Sequence, residues 1–266
     1  MDDPHNETRL RKPLYLDAAG IVQVRAEGPA LRIRMREGPD RHYPLARLSR
    51  IVVRGDADVR GDAMLAVLRS GLGMTWLEAS GTLVGHVLSA CRRSDALLDQ
   101  RLEDLSDTGE LPHVLENWRL AMMRRLILRL VAPRLGWLKD LRARTIRRKA
   151  AARIHERTGC DWRKEMRHFH PLLLSLALEK WRDAGISAAW LDPGPERPDL
   201  AGLVAGLLEW PMWRTGLQLK RNPELRNWHA RIAFFERHHQ RFQRECAGIV
   251  DHLARHLLAT LPGLAE

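Results

Sequence analysis

Residues 13–39 read PLYLDAAGIVQVRAEGPALRIRMREGP, and the alternation within them decides the first half of the fold. In LRIRMR the apolar Leu31, Ile33 and Met35 alternate with Arg32, Arg34 and Arg36. Successive strand residues point to opposite faces, so this is a half-buried strand with a basic outer face. Working outward, LYLD, GIVQVR, RIVVRG and GMTWLE are short runs of the same texture, with GP, GPD, RGD and ASG between them. They predict a β-rich region from Leu14 to about Val87, built as two sheets. One helix interrupts it: Asp62 or Gly61 is placed to cap AMLAVLRSG, with Met64, Leu65 and Leu68 on its inner side and Gly71 at its end.

Beyond residue 88 the period changes from two to between three and four. In HVLENWRLAMMRRLILRLV, residues Leu115, Trp118, Met122, Leu126 and Leu130 fall on one helical face before Pro133 and Gly136 stop the run. KDLRARTIRRKAAARIHER ends at Gly159, and PLLLSLALEKWRDAG has Pro171 at its first turn and Gly185 at its end. After a Pro-rich loop, LDPGPERPD, shorter helical pieces lead to a long helix expected from about Asn227 to Leu258. The expected class is therefore α+β: a flexible tail at 1–12, a β-rich domain at 13–88 and an all-α domain at 89–266.

A chain of 266 residues with 45% hydrophobic residues and 9 Trp can bury a sizeable core, which excludes a disordered chain. No apolar run approaches the ~20 residues of a membrane span, and MDDPHNETRLRK lacks the apolar centre of a signal peptide, so a cytoplasmic protein is expected. Cys91, Cys160 and Cys246 are odd in number with no CxxC pair, which suggests neither a disulfide framework nor a zinc site. The net charge of +11 points to a polyanionic partner. It is concentrated: between Leu111 and Arg182 stand 18 Lys and Arg against 6 Asp and Glu. One basic region on an otherwise balanced chain is the footprint of a DNA-binding face, with solvated helix faces as the plainer explanation.

The order of signals in the first 88 residues resembles the N-terminal domain of the CRISPR spacer-acquisition integrase family, Cas one. The residues that carry the likeness are Leu14 to Leu16, then Pro44 with Leu48, Ile51 and Gly55, then Ala63 to Leu72, Trp76 with Leu77, and Gly81 with Gly85. Downstream, Asn117, Trp118 and Arg125 resemble the family's "K..NQ...L.R" helix, and HARIAFFERHHQRFQRECAGIVDHLARHLL is similar to its basic terminal helix. The resemblance implies dimerisation through the β domain, DNA binding by the helical domain, a Cas two partner, and Mg or Mn held by a Glu, a His and a second acidic residue. At the corresponding positions stand Arg147, Asp192, and either Leu203 or Gly206. A guanidinium in place of a carboxylate repels a metal and binds phosphate directly.

Without those ligands, no resident cofactor is expected. The expected function is a structural, DNA-binding subunit of CRISPR adaptation, as a homodimer or as a heterodimer with an active Cas one. Its DNA contacts are expected from Arg142, Arg144, Arg147, Arg148, Lys149 and Arg153. One alternative is an active metal-dependent integrase or endonuclease drawing on Asp192 with Asp199 or Glu209; another is a basic helical DNA-binding protein outside CRISPR biology. His252 with His256 and Asp251, His238 with His239 and Glu236, and Glu165 with His168 and His170 are weaker metal candidates, better read as polar helix residues. Trp181, Trp190, Trp210, Trp213 and Trp228 are better read as core than as base-stacking platforms. There is no Walker loop, GxGxxG, GxSxG or HExxH.

Overall fold

The computed structural model describes residues 11–89, 95–131, 142–159, 166–191, 194, 197–212 and 227–259. Its contacts divide the chain into two units, residues 1–93 and 94–266.

The first unit carries two sheets. One has the order β1 (Lys12–Asp17), β5 (Leu48–Arg54), β6 (Met74–Leu77), β7 (Leu83–Val87). β5 lies parallel to both β1 and β6, and β7 closes antiparallel onto β6. The parallel step from β5 to β6 needs a crossover, which α1 (Gly61–Arg69) supplies. The second sheet is an antiparallel meander of β2 (Ile21–Glu27), β3 (Ala30–Met35) and β4 (Arg41–Pro44). β4 and β7 add to the five runs read from the sequence.

The alternation in β3 is realised: Leu31 and Ile33 are buried, while Arg32 lies on the outer face and is held by Asp40 at 2.6 Å and Glu27 at 3.6 Å. Val24, Leu31 and Ile33 pack in one core with Leu16, Ile51 and Val53 of the other sheet. β5 is central and buried from Leu48 to Val53, Arg50 included; the Arg50 guanidinium donates to the Tyr15 hydroxyl at 3.3 Å. Gly55 ends β5 at φ +76°, a backbone conformation that disfavours a side chain, and its N–H donates to the Leu77 carbonyl. The inner face of α1 differs from the expected one. Ala63 and Val67 are buried, Met64 and Leu68 are half-buried, and Leu65 is exposed, because the residues nearest the sheets are four apart one position earlier.

The second unit, as described, is helical: α2 (Ala96–Asp107), α3 (Leu111–Val131), α4 (Ala143–Thr158), α5 (His170–Asp183), the single turn α6 (Ala188–Leu191), α7 (Leu200–Leu208), α8 (Trp228–Arg237) and α9 (His239–Ala259). α3 buries Leu115, Trp118, Met122 and Leu126, as its period requires. α4 ends at Gly159 in the left-handed conformation, φ +63°. α5 is buried over most of its surface and packs on α7, with Trp181 wholly enclosed and its indole N–H donating to the Leu200 carbonyl. Removing a side chain of that size from such a site costs ~3–5 kcal/mol.

The single long terminal helix expected from Asn227 to Leu258 is two helices. At His238 the backbone leaves helical geometry, with φ −105° and ψ 5°, and the imidazole Nδ1–H donates to the Phe234 carbonyl at 2.9 Å. That acceptor is the one a continuous helix would give to the backbone N–H of residue 238, which bonds Phe235 instead.

Candidate nucleic-acid interface

α4 is the most basic of the described helices, and its geometry follows from its sequence. Ile146 and Ala150, four apart, are wholly buried and fix the inner face against α3. A helix advances ~100° per residue, so Arg144, Arg147 and Arg148 are carried to solvent, and all three are exposed. Among the described residues none of the three has a hydrogen bond or ion pair with a protein acceptor. Arg142 is exposed just before the helix, at its N-cap position, where its side chain makes no cap bond. Lys149 is half-buried, and Arg153 is committed to Glu156 at 3.0 Å. The expected six-cation face is therefore uneven, with Arg144, Arg147 and Arg148 at its centre. No acidic residue occupies the first turn. Cations near the positive end of a helix dipole oppose it, so this placement does not stabilise the free helix; an anion docked there relieves both terms.

The family's metal ligands are not assembled by the described residues. Arg147 presents a guanidinium. Leu203 and Gly206 sit three apart on the half-buried face of α7, without a ligating atom. Asp199 caps α7, its Oδ1 accepting the Gly202 N–H at 2.6 Å. A Cβ at Gly202 would lie 2.0 Å from that carboxylate, so the glycine is what lets the cap close. Glu209, at the other end of α7, accepts a hydrogen bond from His170 at 3.1 Å. The two weak metal candidates Asp199 and Glu209 are thus engaged at opposite ends of one helix. Asp192 and Glu165 lie outside the described residues, as do Trp213, Cys91 and Cys160. Among the described residues no three His, Cys, Asp or Glu side chains group as a metal would need, and a guanidinium is no donor for a hard cation.

The histidine clusters are occupied in other ways. Nδ1 of His252 accepts the indole N–H of Trp118 at 2.9 Å, His238 bonds Phe234, and His239 lies 3.9 Å from Glu236. Because Nδ1 is an acceptor, the neutral ring carries its proton on Nε2. Burial, and then the charges of Arg125 and Arg255, hold the His252 pKa below its usual value. Trp181, Trp190, Trp210 and Trp228 are all buried and serve the core.

A second basic feature escaped the reading of local charge. Between α3 and α9 runs an open groove of about 760 Å³. Met122, Leu126 and Ile249 form apolar lining, and Arg125 and Arg129 line it from α3. From α9 come Arg241, Arg244 and Arg255, together with Glu245 and His252. Two bonds join the helices, Trp118 to His252 and Arg129 to Glu245 at 2.5 Å, and their order along the two helices shows that these run in opposite directions. A helical-spacing count would have found the α9 row, because positions 241, 244, 248, 252 and 255 recur every three or four residues.

The comparisons with known proteins agree with this architecture. No curated protein sequence matches the chain. Among solved structures, TM1797, a CAS1 protein from Thermotoga maritima, superposes with a TM-score of 0.74 at 11% identity, covering 96% of this chain and 100% of that one. The TtCas1–DNA complex gives 0.69 at 17% identity, over 96% of this chain and 94% of that one. A casposase bound to integration product gives 0.59 at 12%, over 79% and 73%. These likenesses establish the fold: a strand-rich domain followed by helices. The family model of CRISPR associated protein Cas1 matches residues 14–157, more than half of the chain, from within β1 to the last turn of α4; the chain belongs to the Cas1 family.

Proposed function

We propose that this chain is a DNA-binding Cas1-type subunit of CRISPR adaptation that positions DNA without carrying out strand transfer. The observation that carries the reading is Arg147: where the resemblance implies a carboxylate, a guanidinium stands on the solvent face of α4, between Arg144 and Arg148, with no protein acceptor among the described residues. A guanidinium neutralises a phosphate by charge-assisted hydrogen bonds and supplies no Lewis acidity. The described donors do not fit a divalent metal, so the function is assigned to binding. In the family the metal polarises the phosphate; here α4 binds the phosphate directly and the step ends there. Cas1 membership speaks against a role outside CRISPR systems.

The same reading includes assembly. The subunit pairs through its strand-rich domain, with a second copy or with an active Cas1, and Cas2 is a further partner. The apolar faces of β3 and β5 are not that interface, because Leu31, Ile33, Ile51 and Val53 are consumed by the domain's own core. Pairing therefore uses other surface, such as the sheet edges, which need covering.

The test is strand-transfer and nuclease assays on branched and linear DNA with Mg²⁺ and with Mn²⁺. No product is expected. Arg147→Glu should weaken DNA binding and create no activity, since a single carboxylate does not make a metal site. Metal-dependent cleavage or integration that disappears in Asp192→Ala would overturn this reading in favour of an active enzyme.

A further inference from the structure

The groove between α3 and α9 is separate from the face of α4 just described, and three features give it a ligand. The first is charge. Its described lining includes five arginines and one glutamate, and burial together with the charges of Arg125 and Arg255 holds the His252 pKa below its usual value. Among the described residues only Arg129 is ion-paired from within the groove, by Glu245, while Arg241 donates one N–H weakly to the Pro211 carbonyl at 3.5 Å. Arg244 and Arg255 use their Nε–H to bond carbonyls of α9 itself, those of Gln240 at 3.3 Å and Asp251 at 3.2 Å, which leaves their outer N–H groups available. Arg125 has no acceptor among the described residues. Like charges gathered at this density repel one another unless an anion lies between them.

The second feature is length. Arg241 and Arg255 are fourteen residues apart on one helix, a span of ~21 Å at 1.5 Å per residue. A single phosphate reaches one end of such a row, whereas a nucleic-acid strand, with a phosphate every ~3.4 Å along a duplex axis, meets all of it. The third feature is the groove floor. Its apolar lining comes from Met122, Leu126 and Ile249, and among the described lining residues there is no Trp, Tyr or Phe to stack bases. It is therefore suited to the backbone and indifferent to base identity.

We propose that the α3–α9 groove is a second track for the phosphodiester backbone of a DNA strand, in which Arg125, Arg241, Arg244 and Arg255 meet successive phosphates and Glu245 restrains Arg129. This rests on the reading that the chain binds DNA, and it adds a second path beside α4. Glu245 lends the track a built-in opponent: its carboxylate occupies a cation and repels phosphate, so its removal strengthens binding.

The experiment is fluorescence anisotropy of the full-length protein with a dye-labelled oligothymidylate of about 30 nucleotides, and with a duplex of the same length, from about 50 to 200 mM salt. Arg125→Ala with Arg255→Ala should weaken binding about tenfold and reduce the slope of log affinity against log salt by about 1.5, the share of two phosphates. Glu245→Gln should do the opposite, tightening binding several-fold and steepening the slope by about 0.8. If the double variant does not fold, Glu245→Gln decides alone. Groove variants that bind like the wild type, while Arg144→Ala with Arg147→Ala and Arg148→Ala loses affinity, would overturn the second track and leave DNA binding by α4 intact. Absence of DNA binding by the unaltered protein sinks both readings. A trinucleotide that competes as well as the long strand makes the groove a small-anion site and also overturns the proposal.

Discussion

Two sets of arginines, one in each unit, are used in opposite ways. On the outer face of the strand-rich unit Arg32 bonds Asp40 and approaches Glu27, His42 donates to Glu27, and Arg54 reaches Asp17 at 3.0 Å and the Ala79 carbonyl. These cations are internal fasteners between neighbouring strands and turns. In the helical unit Arg144, Arg147 and Arg148 on α4, and Arg125 in the groove, have no such partner among the described residues. Formal charge is similar residue by residue, but only the second arrangement projects a field into solvent that can attract a polyanion.

The largest effect that would sharpen this contrast is on DNA binding. Arg144→Ala with Arg147→Ala and Arg148→Ala should lower affinity at least tenfold and reduce the salt slope by about 2 to 3, whereas Arg32→Ala with Arg54→Ala should leave both unchanged. Equal losses from the two sets, measured by anisotropy in the same buffer, would erase the distinction between fastening and binding cations.

How far the sequence revealed this depends on the range of the interaction. The strand-rich unit was legible because its cue is local: the Leu31, Ile33 and Met35 alternation specifies a face within six residues. The helix pattern of α3 and α5 was legible for the same reason. The break at His238 was not, since it turns on one imidazole taking the Phe234 carbonyl, and no periodicity signals which acceptor a side chain will choose. At the candidate site, charge summed along the chain found α4 but passed over the groove. Arg125 and Arg129 lie within the basic stretch, while Arg241, Arg244 and Arg255 lie in a terminal helix diluted by Glu245 and Asp251. Only the antiparallel approach of α3 and α9 sums them. Likewise, nothing in the residues around Glu209 announced that it bonds His170.

An intermediate effect tests the fastening side of the comparison. The Arg54 guanidinium bridges Asp17 at the end of β1 to the Ala79 carbonyl after β6, across a half-buried site. Arg54→Ala removes the ion pair to Asp17 and the charge-assisted contact to the Ala79 carbonyl, leaving Asp17 with the Ala19 N–H as its donor partner, which should cost about 1–2 kcal/mol in urea unfolding. Replacing Arg147, the cation proposed to meet phosphate, by Ala should cost nothing measurable in the same assay, or stabilise slightly by relieving the α4 dipole. If Arg147→Ala proves the more destabilising of the two, Arg147 is a structural residue and its assignment to phosphate fails.

The smallest expected effect separates the units by acid. In the strand-rich unit the bond from His42, together with the charge of Arg32, holds the Glu27 pKa below 4.5. The unfolded chain therefore takes up that proton first, so the stability this pair contributes is present above pH 4.5 and is lost as pH falls through the lower folded value. In the helical unit His252 is held below 6.5 by burial and by Arg125 and Arg255. Here too the unfolded state binds the proton first, so the contribution is complete above about pH 6.5 and declines on acidification well before Glu27 titrates. Protonating His252 also breaks its bond with Trp118, since an imidazolium has no acceptor for an indole N–H. Asn places an amide oxygen where Nδ1 sits and does not titrate between pH 7 and 5. His252→Asn should therefore flatten the decline in melting temperature over that window while leaving the limb below pH 4.5 in place. A decline between pH 7 and 5 that persists unchanged in His252→Asn would show that the groove histidine is not the group that senses acid in the helical unit.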